Sequence, residues 1–325
     1  MRTLLLGGAG FIGLHLARRL LADGHAVTVV DDFSRGRRDR DLEGMPLDVR
    51  DGDLTDPRTY RALEHGWDQI FMLAAVVGVR NVERDPSRVL RVNTLALMHL
   101  LDWIERDEPL FFASTSEAYA GGVSAGLVPV PTPESVPLVI EDVASPRFSY
   151  AISKLHGEAA VLHGAHAVVG RFHNVYGPRM GADHVIPELS LRAMRGENPF
   201  TLYGSEQSRA FCYVDDAVEA MVRLMATPAA FGRIVHIGDD TEETNIADLA
   251  KLVLRIAGSV GGSVAGRDPV IDPVPAPAGS VARRCPDLSL LRRLTGFEPR
   301  VSLEEGVRRT FDWYRRSAVA AVVEI

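Results

Sequence analysis

Apolar and polar positions come in alternating blocks along the first half of the chain. Thr3–Leu6 is a short apolar run, the pattern of a strand buried on both faces. Phe11–Asp23 follows with apolar residues at Ile12, Leu16, Leu20 and Leu21, which is helical spacing, and Gly24 reads as the stop. Ala26–Val30, Ile70–Leu73 and Leu110–Ala113 repeat the strand pattern, and Val89–Ile104 repeats the helical one. Strand–helix–strand repetition predicts an α/β, Rossmann-type doubly wound parallel sheet.

The second half is less regular. The spacing predicts helices over Ala151–Leu162, Pro187–Met194, Asp215–Met225 and Ile246–Ile256, and strands over Val168–Arg171 and Ile234–Ile237. Ala257–Ser280 is rich in Gly, Pro and Ser and reads as a surface loop. Leu288–Leu294 and Leu303–Tyr314 read as closing helices. The apolar, uncapped tail Ser317–Ile325 packs on the body or a partner subunit, or frays. At 325 residues the chain exceeds what one compact core needs. The expected division is a dinucleotide-binding part over 1–173 and a smaller mixed α/β substrate part over 174–325, with some chain returning to the first.

Composition narrows the class. Hydrophobic residues make up 46% and charged residues 24%, which is globular, and the net charge of −7 leaves no basic field for nucleic acid. Cys212 and Cys285 have no metal-ligand spacing, so no metal site is expected. The opening apolar run Leu4–Leu6 breaks at once into Gly7, Gly8 and Gly10, unlike a signal peptide, and no stretch is long enough to span a bilayer. The expectation is a soluble, cytoplasmic protein without membrane or nucleic-acid partners.

Gly7, Gly10 and Gly13 form GxxGxxG between a predicted strand and a predicted helix. A tight turn needs glycine's φ freedom, and a side chain would keep a pyrophosphate from the amides at the helix N-terminus. The next strand ends in Asp31–Asp32, at the distance expected for an acid that hydrogen-bonds the adenosine ribose. A carboxylate there repels a 2′-phosphate and favours NAD, although Arg35, Arg37 and Arg38 keep NADP open. Further on, Tyr150 and Lys154 stand one helical turn apart, after a predicted strand that runs into Ser114-Thr115-Ser116-Glu117. A phenol beside an ammonium group is a candidate general base.

In combination these motifs resemble the extended short-chain dehydrogenases, the nucleotide-sugar epimerase, dehydratase and decarboxylase family. The resemblance runs end to end. It rests on GGAGFIG at Gly7–Gly13, Asp31–Asp32, GDL at Gly52–Leu54, LAA at Leu73–Ala75, Asn93, STSEAY at Ser114–Tyr119, YAISK at Tyr150–Lys154, NVYGPRM at Asn174–Met180 and SRAF at Ser208–Phe211. It implies NAD held by Gly7, Gly10, Phe11, Ile12, Gly13, Asp31, Asp32, Ser34, Asp53, Leu54, Leu73, Ala74, Ala75, Asn93, Tyr150 and Lys154. It implies catalysis by Thr115, Ser116, Glu117, Tyr150 and Lys154. Asn174, Arg209 and Arg283 would contact the nucleotide diphosphate, with Val185 and Phe200–Tyr203 around the base, uracil or thymine. Taken as a bare residue, Arg283 reads as a surface arginine beside Arg284. Departures from the pattern are His173, where an aromatic is usual and packing is the expected role, Phe148-Ser149 before Tyr150, and Ala118 with Ala120-Gly121-Gly122 around Tyr119.

The shared first step implied is oxidation at the sugar 4-position, with Tyr150 taking the hydroxyl proton. Three outcomes follow: 4-epimerisation, 4,6-dehydration or loss of a 6-carboxylate. Glu117, two residues after Thr115, can serve as base at the 5-position or return a proton to an enolate. The lean is therefore to dehydration or decarboxylation, with 4-epimerisation as the alternative. A non-catalytic NAD-sensing protein and a dehydrogenase that exchanges its cofactor are the readings from other classes. The first would not need the Tyr150/Lys154 pair, and the diphosphate set argues against the second. Leu95, Leu101, Ile152, Leu155 and Leu162 exceed what one core needs, and the resemblance implies a homodimer through those helices.

Overall fold

In the computed structural model, residues 1–259, 269–276 and 280–323 are described. The strands in chain order are β1 (Arg2–Leu6), β2 (Ala26–Asp31), β3 (Asp48–Asp51), β4 (Gln69–Met72), β5 (Leu110–Thr115), β6 (Ala167–Phe172) and β7 (Val175–Tyr176). They continue as β8 (Phe200–Tyr203), β9 (Ser208–Ala210), β10 (Cys212–Tyr213), β11 (Ile234–Ile237), β12 (Glu243–Asn245), β13 (Ile271–Val274) and β14 (Arg283–Arg284).

Seven of these form one sheet in the order β11-β6-β5-β4-β1-β2-β3, with every neighbouring pair parallel. Both faces are covered, as the alternation along β1 shows. Leu4 and Leu6 pack with Ile70, Met72, Leu110 and Phe112 on one side. Leu5 packs with Val29, Phe71, Phe111 and Val168 on the other. Unbroken apolar strands are what a sheet buried on both faces requires. Strand order reverses direction between β1 and β4, so a crevice opens where their carboxyl ends part. Gly7 and Leu73–Ala75 stand at those two ends.

The predicted strands and helices are present with small shifts. The helix of the Tyr/Lys motif starts earlier, at Phe148, and runs to Gly164, packed along the helix Pro86–Trp103. β3 is an addition: three of its four residues are charged, with only Val49 apolar, so no apolar run marks it.

The stretch Ala257–Ser280 corrects the expectation of a loop. The preceding helix continues to Ser259, and Ile271–Val274 is β13, parallel to β8. Residues 260–268 and 277–279 of that stretch lie outside the described residues. The closing helix also outruns its prediction and continues to Val323, so most of the apolar tail is helical. Among the described residues no helix is long and apolar enough to cross a membrane.

Beyond the main sheet the chain makes three small ones. β10 pairs with β7, β13 with β8, and β9 lies between antiparallel β12 and parallel β14. The last of these carries most of the charge that matters below.

Candidate active site

The dinucleotide end is built from backbone. Gly7 has φ +85°, and a Cβ there would stand 2.5 Å from the Ala74 amide nitrogen. A Cβ on Gly13 would stand 2.6 Å from the Gly8 Cα, so these two glycines let the turn close on β4 and on itself. Gly10 differs. Its missing Cβ would meet only the Gly7 carbonyl oxygen, at 3.4 Å, with open space otherwise, at the N-cap of the helix Phe11–Ala22. That open face over a helix N-terminus is a cradle a phosphate fits and a side chain would fill.

Asp31 closes the turn from the other side, accepting from the Ala9 amide at 3.0 Å and the Phe33 amide at 2.9 Å. Burial raises its pKa, and the two amides partly offset that. Asp32 is exposed and accepts from the Ser34 amide and hydroxyl. Asp53 accepts from the Thr55 amide and hydroxyl, and Leu54 is buried in the core. Phe11 packs edge-on to His15, and Ile12 lies beside it against the core. Leu73 and Ala74 both donate backbone bonds to the Leu6 carbonyl, and Ala75 leads into Val76. Asn93 clamps Val76 with both ends of its amide and also donates to the Ser153 hydroxyl, which joins this loop to the Tyr/Lys helix.

At the end of β5, Thr115 accepts from the Glu117 amide and caps the short 3-10 turn Ser116–Tyr119. Its hydroxyl stands where it favours the ionised Tyr150 phenol. Ser116 is buried. Lys154 is buried too, donates to the Ala113 carbonyl at 2.7 Å, and lies 6.0 Å from the Tyr150 ring. Burial lowers Lys154 to about 8, with Glu158 opposing. Burial also drives the Tyr150 pKa well up, and the Glu117 charge adds to that. In these surroundings Tyr150 is therefore a phenol at neutral pH, and the lysine alone does not make it a phenolate. Glu158, one turn beyond Lys154, pairs with the buried Arg171, whose guanidinium also donates to the Tyr119 hydroxyl. His173 is buried against Tyr119 and His236, and neither of its ring nitrogens has a hydrogen-bond partner among the described residues.

The second cluster forms around Glu117. Register decides its membership. Arg209 on β9 is opposite Arg284 on β14, and Ser208 is opposite Arg283. Side chains alternate across a strand, so Arg209 and Arg284 share one face and Ser208 and Arg283 the other. Arg284 reaches Glu117 at 2.7 Å. Arg283 turns away to a bidentate pair with Glu243, which also accepts from Ser208. The sequence reading chose Arg283, whereas the structure brings its neighbour to the catalytic strand end.

Arg147, at the N-terminus of the Tyr/Lys helix, stands 3.9 Å from Glu117 and escaped the sequence reading altogether. Arg209 donates to Gln207 and to the carbonyls of Ser208, Val281 and Ala282, with no ion pair to a carboxylate among the described residues. Burial and the charge of Arg284 push its pKa down to about 10. Burial opposes the charge on Glu117, yet Arg284, Arg147 and Arg209 together hold its carboxyl below the usual range. Three guanidinium groups thus share one carboxylate, an excess of positive charge suited to an incoming anion.

Of the other expected substrate residues, Asn174 is left-handed at φ +42° and donates to the Ala210 carbonyl at 3.0 Å. Val185 opens the helix Val185–Met194, and Tyr203 ends β8 with its side chain exposed. Among the described residues, no hydrogen bond or ion pair joins these two to the arginine cluster.

Glycine cradle, ribose-side acid, and a Thr–Tyr–Lys set at the adjoining strand end together describe one kind of protein. The model of the NAD dependent epimerase/dehydratase family matches residues 3–238. The chain belongs to that family. A UDP-N-acetyl-alpha-D-glucosaminuronate decarboxylase of Bacillus cytotoxicus is 31% identical over 97% of this chain and 98% of its own. A UDP-glucuronic acid decarboxylase 1 of Xenopus tropicalis is 33% identical over 97% of this chain and 72% of its own. Among solved structures, a UDP-glucose 4-epimerase of Thermotoga maritima, crystallised with UDP-glucose, superposes with a TM-score of 0.81 at 30% identity, covering 98% and 100% of the two chains. This family member is an NAD-dependent enzyme that modifies nucleotide-sugars.

Proposed function

We propose that the protein removes the 6-carboxylate of a nucleotide-linked hexuronate through a transient 4-keto sugar. The observation that carries this reading is Glu117 set among Arg147, Arg209 and Arg284, with Arg209 lacking a carboxylate partner among the described residues. A diphosphate and a sugar carboxylate are two anions, and the cluster has charge for both. Dehydration would need an acid for the departing 6-hydroxyl as well as a base at C5. The strand end offers one carboxylate, with a serine, Ser116, beside it. Carbon dioxide leaves without such an acid. The decarboxylase relatives from Bacillus and Xenopus support the same branch.

NAD, when bound, supplies the hydride acceptor at C4, returns the hydride later, and through its cationic ring favours the Tyr150 phenolate that burial disfavours. Tyr150 takes the 4-hydroxyl proton, aided by Thr115. Lys154 holds the Ala113 carbonyl and keeps a positive charge near that phenol. The 4-keto hexuronate is a β-keto acid. Its C5–C6 bond breaks, carbon dioxide departs, and the electron pair remains as the C4–C5 enolate. The arriving sugar carboxylate competes for the arginines and raises the Glu117 pKa. Glu117 then takes up a proton from solvent water and delivers it to C5, and Tyr150 returns its proton to the 4-oxygen on reduction.

The division of labour follows the same reading. Residues 1–173 serve the cofactor, and 174–325 mainly the nucleotide-sugar, with uracil or thymine as the base. Leu95, Leu101, Ile152, Leu155 and Leu162 are half-buried in this single chain and Met98 is exposed, which supports pairing with a second copy through these helices. We read the place of work as the cytoplasm.

The test is incubation with UDP-glucuronate, UDP-N-acetylglucosaminuronate, UDP-glucose and dTDP-glucose, with products weighed. Loss of carbon dioxide from a uronate is expected. An unchanged mass with a new chromatographic peak would establish 4-epimerisation, the second reading, which the likeness to the Thermotoga epimerase favours.

A further inference from the structure

The motif NVYGPRM contains a buried arginine that lies outside the arginine cluster at Glu117. Arg179 sits in the left-handed region at φ +70°, a strained conformation for a residue with a side chain. Its guanidinium donates to the Ala9 carbonyl at 3.1 Å, inside the glycine turn. It donates to the Arg37 carbonyl at 2.8 Å and to the Asp39 carboxylate at 3.0 and 3.2 Å, in the loop that follows Asp31–Asp32. Asp39 is itself fixed, because it accepts from the Leu42 amide as the N-cap of the helix Arg40–Glu43.

The two pieces that Arg179 joins already touch. The Arg37 amide donates to the same Ala9 carbonyl, and the Ala9 amide donates to Asp31. Gly36 presses so closely that a Cβ would stand 2.8 Å from both Ala9 Cβ and an Asp31 oxygen. Glycine turn, acid and loop therefore form one knot, and Arg179 is its outer tie. The segment that carries Arg179 is anchored by other means. β7 pairs with β10, the Tyr314 hydroxyl bonds the Met180 carbonyl, and His15 bonds the Pro178 carbonyl. Among the described residues, the hydrogen bonds of this guanidinium go to the glycine turn and to the loop after Asp31–Asp32.

We propose that Arg179 is a positioning residue for the dinucleotide: from the segment leading into the second half of the chain, it locks the glycine turn to the ribose-side loop and so sets how long NAD stays bound between turnovers. A reaction that takes a hydride and returns it requires this retention, because cofactor lost midway strands a keto sugar. A strained buried arginine is then the cost of a slow off-rate.

The NAD measurements use purified holoenzyme without sugar, so they stand apart from the choice of reaction. NAD per chain is measured after gel filtration, and the NAD off-rate by dilution. Arg179→Met is expected to release NAD at least about ten-fold faster, with activity after dilution restored by added NAD and the sugar KM at saturating NAD unchanged. Asp39→Asn, which weakens the same tie from a partly exposed residue, is expected to release it about three-fold faster. It decides the matter if Arg179→Met does not fold. Off-rates equal to wild type would overturn the proposal. So would a raised sugar KM with NAD retention intact, which would place Arg179 on the substrate side.

Discussion

The two ends of the crevice are charged in opposite styles. At the dinucleotide end, the charged side chains that shape the turn are tied within the protein, and only backbone amides at the helix N-terminus stand open: Asp31 takes two amides, and Arg179 is divided between two carbonyls and Asp39. At the strand end of β5, three guanidinium groups face one carboxylate, and Arg209 is burdened by burial and by Arg284. A rigid end whose open amides await a phosphate holds one occupant in a fixed geometry, whereas an end with surplus positive charge gains whenever an anion arrives. The contrast fits a cofactor that stays and a substrate that turns over.

The comparison breaks most sharply at Glu117. Glu117→Gln keeps the shape and removes the charge, so uronate turnover should fall by about 10²–10⁴-fold, the range of a lost acid–base group. Bound NAD, measured by absorbance after gel filtration, should be unchanged. Loss of NAD together with turnover would mean that the two ends are not separable.

Next come the glycines, which separate cradle from turn. Gly10→Ala puts a methyl into open space, so the melting temperature should barely move while NAD occupancy collapses. Gly7→Ala forces a Cβ against Ala74 at positive φ, and should cost about 1–3 kcal/mol of stability in denaturant titration. Equal stability losses in both would contradict the assignment of Gly10 to the phosphate.

Arg209→Met should raise the nucleotide-sugar KM about 10- to 100-fold, as the loss of one charge-assisted hydrogen bond worth ~1.5–3 kcal/mol implies. Arg283→Met, one β-position away and paired with Glu243, should leave KM within about two-fold on the scale of exposed pairs. Steady-state kinetics on the two variants would test the register argument directly.

The smallest effect is in pH. Arg147 helps to hold the Glu117 carboxyl below its ordinary value. Removing it by Arg147→Met should let that pKa rise, so Glu117 keeps the proton it delivers to C5 to higher pH and the basic limb of the kcat profile moves to higher pH. A limb that stays put would mean that Arg284 alone controls Glu117.

Much of the frame was legible because buried parallel strands are apolar runs and glycine turns are punctuation. Thr115, Glu117, Tyr150 and Lys154 were legible because a strand end and a helical turn fix their spacing. What the sequence hid depends on register and on faces. Nothing in Arg283-Arg284 says which of the two points inward until β14 is laid beside β9. Arg147 belongs to a helix whose predicted start fell four residues later, at Ala151. β13 lies in a stretch whose Gly and Pro content masks it, and the pairing with β8 that makes it a strand is distant in sequence. The spacing of Tyr150 and Lys154 shows the ammonium beside the phenol but not the burial that raises the phenol's pKa.

The most direct test of the central claim is the product mass from UDP-glucuronate, with UDP-glucose as the matched neutral sugar. The account predicts that the uronate loses carbon dioxide and that NAD is regenerated, while UDP-glucose keeps its mass. A uronate returned at unchanged mass, or water lost from UDP-glucose, would contradict the role given to Glu117 and its three arginines.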